Sequence, residues 1–472
     1  MRVDIGHLLS LELGSRVVTE PEALQPFGRD ESPLGAYLPE AVVRPTTPEE
    51  IRIALRLCAA NQVPVTPRGG GTGKTGGALP VMGGVVLSLD QMNKIYEVDR
   101  RDQVAVVEPG VVTGVLQQAV ESEGLYYPPD PASLDSCTIG GNVANNAGGP
   151  RAYRYGVTRD FVLGLELALM GGDRLALGRR SPKGVSGYDL TALVVGSEGT
   201  LGVIDRVTLR LLPKPVASAA LLGVFDGLGK AGEAVMAISQ AGLRPAALEL
   251  MDGSSLRHIQ EVSAYRFPEG AQAVLLVDLE GSSESLEPDL LRAGQALEAA
   301  GASDVRLATD EAQRRRLWEA RRKIPERLKE LHPHKFGDDI AVPLGEMPAM
   351  MEAVSAIGAR VGLDTAVFGH AGDGNLHVNF LSDAPPDERP RIEKAIERAR
   401  AALFHETLHR GGTLSGEHGI GLTKRNYMRL EHPPQELEMM RSLKRLFDPL
   451  GLMNPGKLLP EPDRPPSRTN SG

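Results

Sequence analysis

Cysteine is nearly absent from this sequence: Cys58 and Cys137 are the only two in 472 residues. They form no CxxC pair and are too few to hold an iron–sulfur cluster, so the expectation is two buried, reduced thiols. Aromatic residues are scarce at 4%, which argues against a surface built to stack nucleic-acid bases. An excess of positive charge is missing too. The formal net charge is -9, which disfavours a nucleic acid or an anionic membrane as the main partner while leaving room for basic residues inside a pocket. No stretch approaches the ~20 apolar residues that cross a bilayer. The longest, LGLELALMGG, is strand-length and carries Glu166. The opening MRVDIGHLLSLELGSR has charges within its apolar run and no small-residue cleavage site, so it does not read as a signal peptide. These absences point to a cytoplasmic protein without nucleic acid or a transmembrane segment. Any association with an inner membrane would run through a partner.

What is abundant is glycine, 54 residues, and it is clustered. The length suggests roughly two to three domains at ~100–200 residues each. A hydrophobic share of 41% with 24% charge suits a chain that buries a large core. Residues 1–40 read as short helices and loops. From there to about 215, strand-like runs (AVVRP, VPVTP, GVVLSL, AVVEPG, LELAL, VIDRVTLRLL) alternate with Gly-rich turns. The helix IRIALRLCAANQ follows a capping signal, Thr47 with Glu50 three residues on. Beyond 215 strand and helix alternate at regular length, an α+β unit of the split ferredoxin-like kind. A charged helix, DEAQRRRLWEARRKIPERLKEL, comes next, then strands around 338–343 and 364–380 and a helix over 386–409. The expected domains are 1–215, 216–412 and 413–460, with 461–472 a disordered tail.

The loop PRGGGTGKTGGALP (67–80) matches two well-known phosphate motifs in part. Gly71 to Gly76 fits GxGxxG, and Gly73-Lys74-Thr75 fits the end of a P-loop. Both motifs require a helix to begin at once, and GGALP cannot carry a helix interior. Six glycines in the nine positions 69–77 instead let backbone amides approach a phosphate or a flat ring. Two further stretches share this texture: PPDPASLDSCTIGGNVANNAGGPRAYRYG (128–156), read as one long functional loop, and VVGSEGTLGVI (194–204), read as a strand turning into the next strand.

In AVFGHAGDGNLHVNF two short strands flank a Gly-rich turn. His370 ends the first and can meet His377 across the turn, and His377 and Asn379 share one face of the second. A pair of His with a carboxylate from elsewhere is a metal-ligand set. Glu417 in RGGTLSGEHGIG is the candidate, a charged residue in a Gly-rich loop, with His418 beside it pointing differently. A substrate carboxylate needs a cation. Arg321, Arg322 and Lys323 lie on the charged helix, whose basic face reads as mostly solvated, and Lys335 precedes the strand DDIAVP.

Seven stretches in this order (PRGGGTGKTGGA, PPDPAS, TIGGNVANNAGG, GSEGTLGVI, FGHAGDGNLHVN, SGEHGIG and LFDPLGLMNPGKLLP) resemble the vanillyl-alcohol oxidase / p-cresol methylhydroxylase flavin superfamily. Over about 40–460 the resemblance is to its FAD-linked 2-hydroxy-acid branch: glycolate oxidase catalytic subunits, D-lactate dehydrogenases and D-2-hydroxyglutarate dehydrogenases. It implies an α+β fold, with a two-subdomain FAD-binding domain, a ferredoxin-like cap and a C-terminal segment returning to the flavin domain. It implies that backbone amides of the loop Arg68, Gly69, Gly70, Gly71, Thr72 and Gly73 hold the FAD pyrophosphate, with Gly76 also in the cofactor-binding set. Pro129, Asp130, Ser133, Ser136, Thr138, Gly141, Asn142, Ala144, Glu198, Gly199, Gly202 and Ile204 would line the rest, with Asn454 near the flavin ring. The Gly loop has no His, so FAD is expected to be non-covalent. By the same resemblance His370, His377 and Glu417 match three ligands of a divalent metal (Zn, Mn or Fe) and His418 the base. Arg321 and Lys335 match carboxylate-binding residues, and Asn379 is counted with the catalytic set.

The expected function is oxidation of a small 2-hydroxy acid, glycolate or D-lactate, to the 2-oxo acid. Where the 2-hydroxyglutarate enzymes have a Thr shortly after the Arg, this chain has Pro325, which disfavours that alternative. With no cluster of its own the chain needs an electron acceptor or a partner subunit, and a homo- or hetero-oligomer stays open. A rival of another class is a non-catalytic flavin-binding subunit of an oxidase complex, against which the intact GHAGDGNLH and SGEHG count. A flavoenzyme acting on phenols or alkyl phosphates is disfavoured by the metal-ligand set.

Overall fold

In the computed structural model the described residues are 4–308 and 310–462; the expected tail, 461–472, falls almost entirely outside them. Two large sheets, with a two-stranded ladder of Leu125–Tyr126 and Leu212–Pro213, build the N-terminal part. The first runs Val17–Val18, Ala41–Val43, Val85–Ser88, Val65–Arg68, the last three parallel. Helix Pro48–Ala60 connects Ala41–Val43 to Val65–Arg68. Thr47 caps it as the sequence predicts, accepting from the Glu50 amide, while the Glu50 carboxylate reaches back to the Thr46 amide. The second sheet is antiparallel, in the order Ile95–Asp99, Val104–Val107, Val203–Arg210, Val162–Ala168, Arg174–Gly178.

A seven-stranded sheet follows. Its elements in chain order are β1 (Ala217–Phe225), α1 (Leu228–Gln240), β2 (Ala247–Asp252), α2 (Gly253–Ile259), β3 (Ala273–Gly281), α3 (Ser283–Ala299), β4 (Asp304–Ala308), α4 (Glu311–Leu331), β5 (His334–Ala341), α5 (Met347–Val361), β6 (Asp364–His370), β7 (Asn375–Ser382) and α6 (Arg389–His409). The strand order is β4-β1-β3-β2-β6-β7-β5. β1 to β4 make one split βαβ unit, and β5 to β7 make a second that lacks a fourth strand. The two join edge to edge where β2 pairs with β6, through Glu249↔His370, Leu250↔Gly369 and Met251↔Phe368.

Alternation along the strands decides which side chains face which layer. Leu248, Leu250, Val367, Val378 and Phe380 pack under α1, α3, α5 and α6. Met251, Ala366, Phe368 and Leu381 face the other way, under α2 and α4. Glu249, His370 and His377 belong by register to this second face. After α6 the chain bridges β5 at Ala341↔Thr413 and returns to the first sheet at Val65↔Met453. Leu452 and Met453 enter its core, and Phe447 enters that of the second sheet.

Three sequence expectations need correction. Residues 128–156 are not one loop: Ile139–Asn145 is a helix capped by Thr138, and Ala152–Tyr155 forms another turn of helix. The stretch at 194–204 begins at the end of helix Leu190–Val194, not in a strand. Lys335 lies inside β5 rather than before it. No helix among the described residues is long and apolar enough to cross a membrane.

Candidate active site

The β6–β7 turn sets up the site. Gly374 has φ +81, and a Cβ there would lie 1.9 Å from the Val342 carbonyl oxygen, so only glycine fits. Gly416 lets the loop carrying Glu417 close on the same turn, since its Cβ would meet Asn375 Nδ2 at 2.0 Å. The possible ligand atoms of His370, His377 and Glu417 then lie within 4.8 Å of one another. Glu417 Oε2 is 3.8 Å from His370 Nε2, and its Oε1 is 3.5 Å from His377 Nε2. The Nδ1 of His370 is hydrogen-bonded to Glu249, which turns Nε2 toward Glu417. A ring held by a carboxylate behind and open in front is the arrangement that metal-binding imidazoles adopt.

The electrostatics favour a cation at this point. Burial opposes charge on His370, but Glu249 and Glu417 override it and hold its pKa well above the ordinary value. Burial pushes the Glu417 carboxyl up, and the hydrogen bond and charge of His370, with His377, bring it down to about 2. His377 is pushed well down, by burial first. Asp130 faces the same region; burial drives it up to about 7 against the pull of Arg151.

His418 stacks on His377 with ring centroids 5.4 Å apart. Its Nε2 is 3.9 Å from Glu417 and its Nδ1 is 3.3 Å from Asp339. Arg321 is not on a solvated helix face. It is buried, donates Nε to Glu249 at 2.7 Å, and lays its guanidinium over Phe368; Arg322 beside it is exposed. The reason is helical phase: Leu317, Ala320, Ile324 and Leu328 face the sheet, and Arg321 rides on that stripe. Lys335 sits on the His377 face by register, and burial, with the charges of Lys74 and Lys329, pushes its ammonium down to about 8. Asn379 is buried and spends its amide on the Ala366 and His377 carbonyls.

The flavin candidates converge as a second group. Gly69 and Gly70 press on Thr138 and the Ser136 carbonyl, so close that a Cβ would collide at 2.5 and 2.3 Å. Gly199 lies against Pro67, Glu198 donates its amide to Ala144, and Asn454 donates to the Glu198 carbonyl. Among the described residues no amide from Gly69 through Gly73 donates a hydrogen bond to the protein. A run of free amides in a glycine loop is an anion cradle and fits a pyrophosphate. Other members of the set are occupied elsewhere. The Arg68 guanidinium donates to Pro26 and lies over Phe27, with Nη1 buried and unpartnered. The Pro129 carbonyl accepts from Gln117, Asp130 accepts from the Arg151 amide, Ser136 bonds the Ser133 carbonyl and Asn142 bonds Thr113. Gly141 donates to the Thr138 cap, Gly202 packs on Leu167, and Ile204 is core. Thr72 extends the cradle, and Gly76 packs on Leu34 and Leu422. Sequence reasoning missed Glu249 and Asp339. Their signal was a carboxylate inside an otherwise apolar strand, AALELMD and DDIAVP.

A two-sheet unit with a free-amide glycine loop, joined to a cap that presents imidazoles and carboxylates, defines a flavin-dependent oxidoreductase. The chain belongs to the FAD-linked oxidases. A family model described as FAD linked oxidases, C-terminal domain, matches residues 214–458, and one described as FAD binding domain matches 39–178. Glycolate oxidase subunit GlcD of Bacillus subtilis (strain 168) is 40% identical over 433 residues, 92% of this chain and 91% of that protein. D-2-hydroxyglutarate dehydrogenase of Stutzerimonas stutzeri (strain A1501) is 36% identical, covering 96% and 98%. D-lactate dehydrogenase of Anaerostipes hadrus is 35% identical, covering 94% of each. Among solved structures, p-cresol methylhydroxylase with substrate bound superposes with a TM-score of 0.77 over 96% of both chains at 18% identity, which shows a shared fold.

Proposed function

We propose that this protein oxidises a small 2-hydroxy acid, glycolate or D-lactate, to the 2-oxo acid, with non-covalent FAD and a divalent ion (Zn, Mn or Fe) held by His370, His377 and Glu417. The observation that carries this reading is the convergence of those three side chains and His418 at the β2–β6 seam. FAD, when bound, supplies the acceptor for two electrons, and the ion supplies the positive charge that lowers the pKa of the substrate hydroxyl. His418, with Nδ1 toward Asp339, offers Nε2 to take the hydroxyl proton. Arg321 and Lys335 are cations on the same face for the substrate carboxylate. The glycine-loop amides with Thr138, Glu198 and Asn454 fit the flavin side. Pro325 lies one turn beyond Arg321 in α4 and brings no hydroxyl, which supports a small acid.

D-2-hydroxyglutarate is the second reading. It is favoured by Lys335, which has no anionic partner among the described residues and suits a second carboxylate. Since the curated GlcD relatives are named as subunits, the reduced flavin is read as handing its electrons to a partner protein or a separate acceptor. An anaerobic panel of 2-hydroxy acids in both enantiomers, followed by flavin bleaching, tests the reading. Bleaching by glycolate or D-lactate at lowest concentration is expected. Faster reduction by D-2-hydroxyglutarate selects the second reading, and no bleaching by any acid removes both.

A further inference from the structure

The loop that carries Glu417 and His418 is held by a single residue of the cap sheet. Asp339 lies in β5 and is fully buried. Its Oδ2 accepts from the backbone amides of Glu417 at 2.7 Å and His418 at 3.1 Å. Ser415 Oγ lies 3.2 Å from both carboxylate oxygens and in turn accepts from the Gly419 amide. Lys424, also fully buried, donates to Asp339 Oδ1 at 2.6 Å, to the Asp339 carbonyl at 2.7 Å and to the Leu414 carbonyl at 2.8 Å. The Nδ1 of His418 is 3.3 Å from Oδ1.

A buried carboxylate is costly unless its charge and its lone pairs are all engaged. A loop anchor would need only the two amide contacts. Oδ1 also comes within ion-pair distance of the imidazole; a proton carried on Nδ1 beside Asp339 leaves Nε2 as the acceptor. Because the same carboxylate also binds the Glu417 amide, ring and ligand carboxylate share one frame.

We propose that Asp339, neutralised by Lys424, is a positioning residue of the reaction, fixing the tautomer and direction of His418. This rests on the reading of His418 as proton acceptor. The test is anaerobic stopped-flow reduction of the FAD- and metal-loaded enzyme by its hydroxy acid. Asp339→Asn is expected to slow reduction at saturating substrate by about 100-fold or more, the scale of general-base and orienting-carboxylate losses. Half-saturation should move by less than ~3-fold, with FAD and metal per chain unchanged. A rate within ~3-fold of wild type overturns the proposal, and so does a loss that tracks loss of metal or FAD. If Asp339→Asn is not recovered folded, Asp339→Glu keeps the charge against Lys424 while displacing the oxygens. It should lose roughly 10-fold at unchanged half-saturation, and a wild-type rate there is equally fatal. In a His418→Ala background Asp339→Glu should add no further loss beyond ~3-fold, because it acts through the ring; a further loss overturns the role. Wild type unreduced by every acid, or His418→Ala undiminished, sinks the reading of the site itself. A slow His418→Ala beside a fast Asp339→Asn sinks only this proposal.

Discussion

Lys335, half-buried, and Lys457, buried against the Leu79 carbonyl and Asn454, differ from most of the cations drawn into the interior. Arg314, Arg321, Arg400, Lys424 and Lys444 each face a carboxylate, whereas Lys335 faces none among the described residues. Burial, with Lys74 and Lys329, sets its ammonium at about 8, so it is charged below that pH and neutral above it. If it binds the substrate carboxylate, kcat/KM falls as pH rises through about 8. Lys335→Met should lower kcat/KM and flatten that limb; a variant that keeps the wild-type limb removes Lys335 from the role. Glu249 makes a second case at this scale. It joins Arg321 to His370, and Glu249→Gln should weaken metal retention by roughly 10–100-fold, the usual effect of removing a carboxylate behind a ligating imidazole. The readout is metal per chain after dialysis against a weak chelator, and full retention would leave Glu249 as a packing residue. His418→Ala is expected to keep FAD but slow flavin reduction by ~100-fold or more.

Among the elements, the β6–β7 turn and the β2–β6 seam carry the site. Gly374→Ala forces a side chain into positive φ against a carbonyl, at a cost of about 1–3 kcal/mol before the clash is counted. The expected outcome is a lower thermal midpoint together with loss of metal, while FAD is retained; a variant that holds its metal would show that the turn tolerates the side chain. Much at this scale was legible beforehand. The turn between His370 and His377 follows from strand alternation and local glycine, and the split βαβ rhythm from segment lengths. The opposition of Glu249 and His370 was not legible, because the pairing of two edge strands across 121 residues leaves no local periodicity. Nor was the burial of Arg321: the surrounding run EARRKIPER is so charged that its apolar stripe is hard to see. The short helix at 139–145 hid behind glycine and asparagine, residues of low helix propensity, and is held by its Thr138 cap and by Ile139 and Val143 in the core.

For the whole molecule, the two parts meet through charge. Arg154 donates to the Glu280 carbonyl, Tyr155 to its carboxylate, and Arg151 lies 3.9 Å from the same group. Tyr153 packs against Gly372 in the β6–β7 turn. The flavin loops and the donor set are nonetheless built from different residues, so the two cofactors should be separable. Dialysis against a strong chelator is expected to abolish flavin reduction by substrate while the protein stays yellow, with activity restored by a divalent ion. Full activity in protein shown to be metal-free would leave His370, His377 and Glu417 a structural cluster. Activity neither before nor after metal addition, with FAD bound, would favour a non-catalytic flavin-binding subunit.

The loop 415–421 hangs between two buried carboxylates, Asp339 on the cap and Glu198, which accepts from the Ile420 and Gly421 amides on the flavin side. Both anchors precede the loop in the chain, so during synthesis Glu417 and His418 emerge after the two carboxylates that hold them, with Asn454 following. A chain cut short before residue 415 has every strand of the cap sheet but lacks Glu417, His418 and the Leu452–Asn454 segment that packs on the first sheet and reaches Glu198.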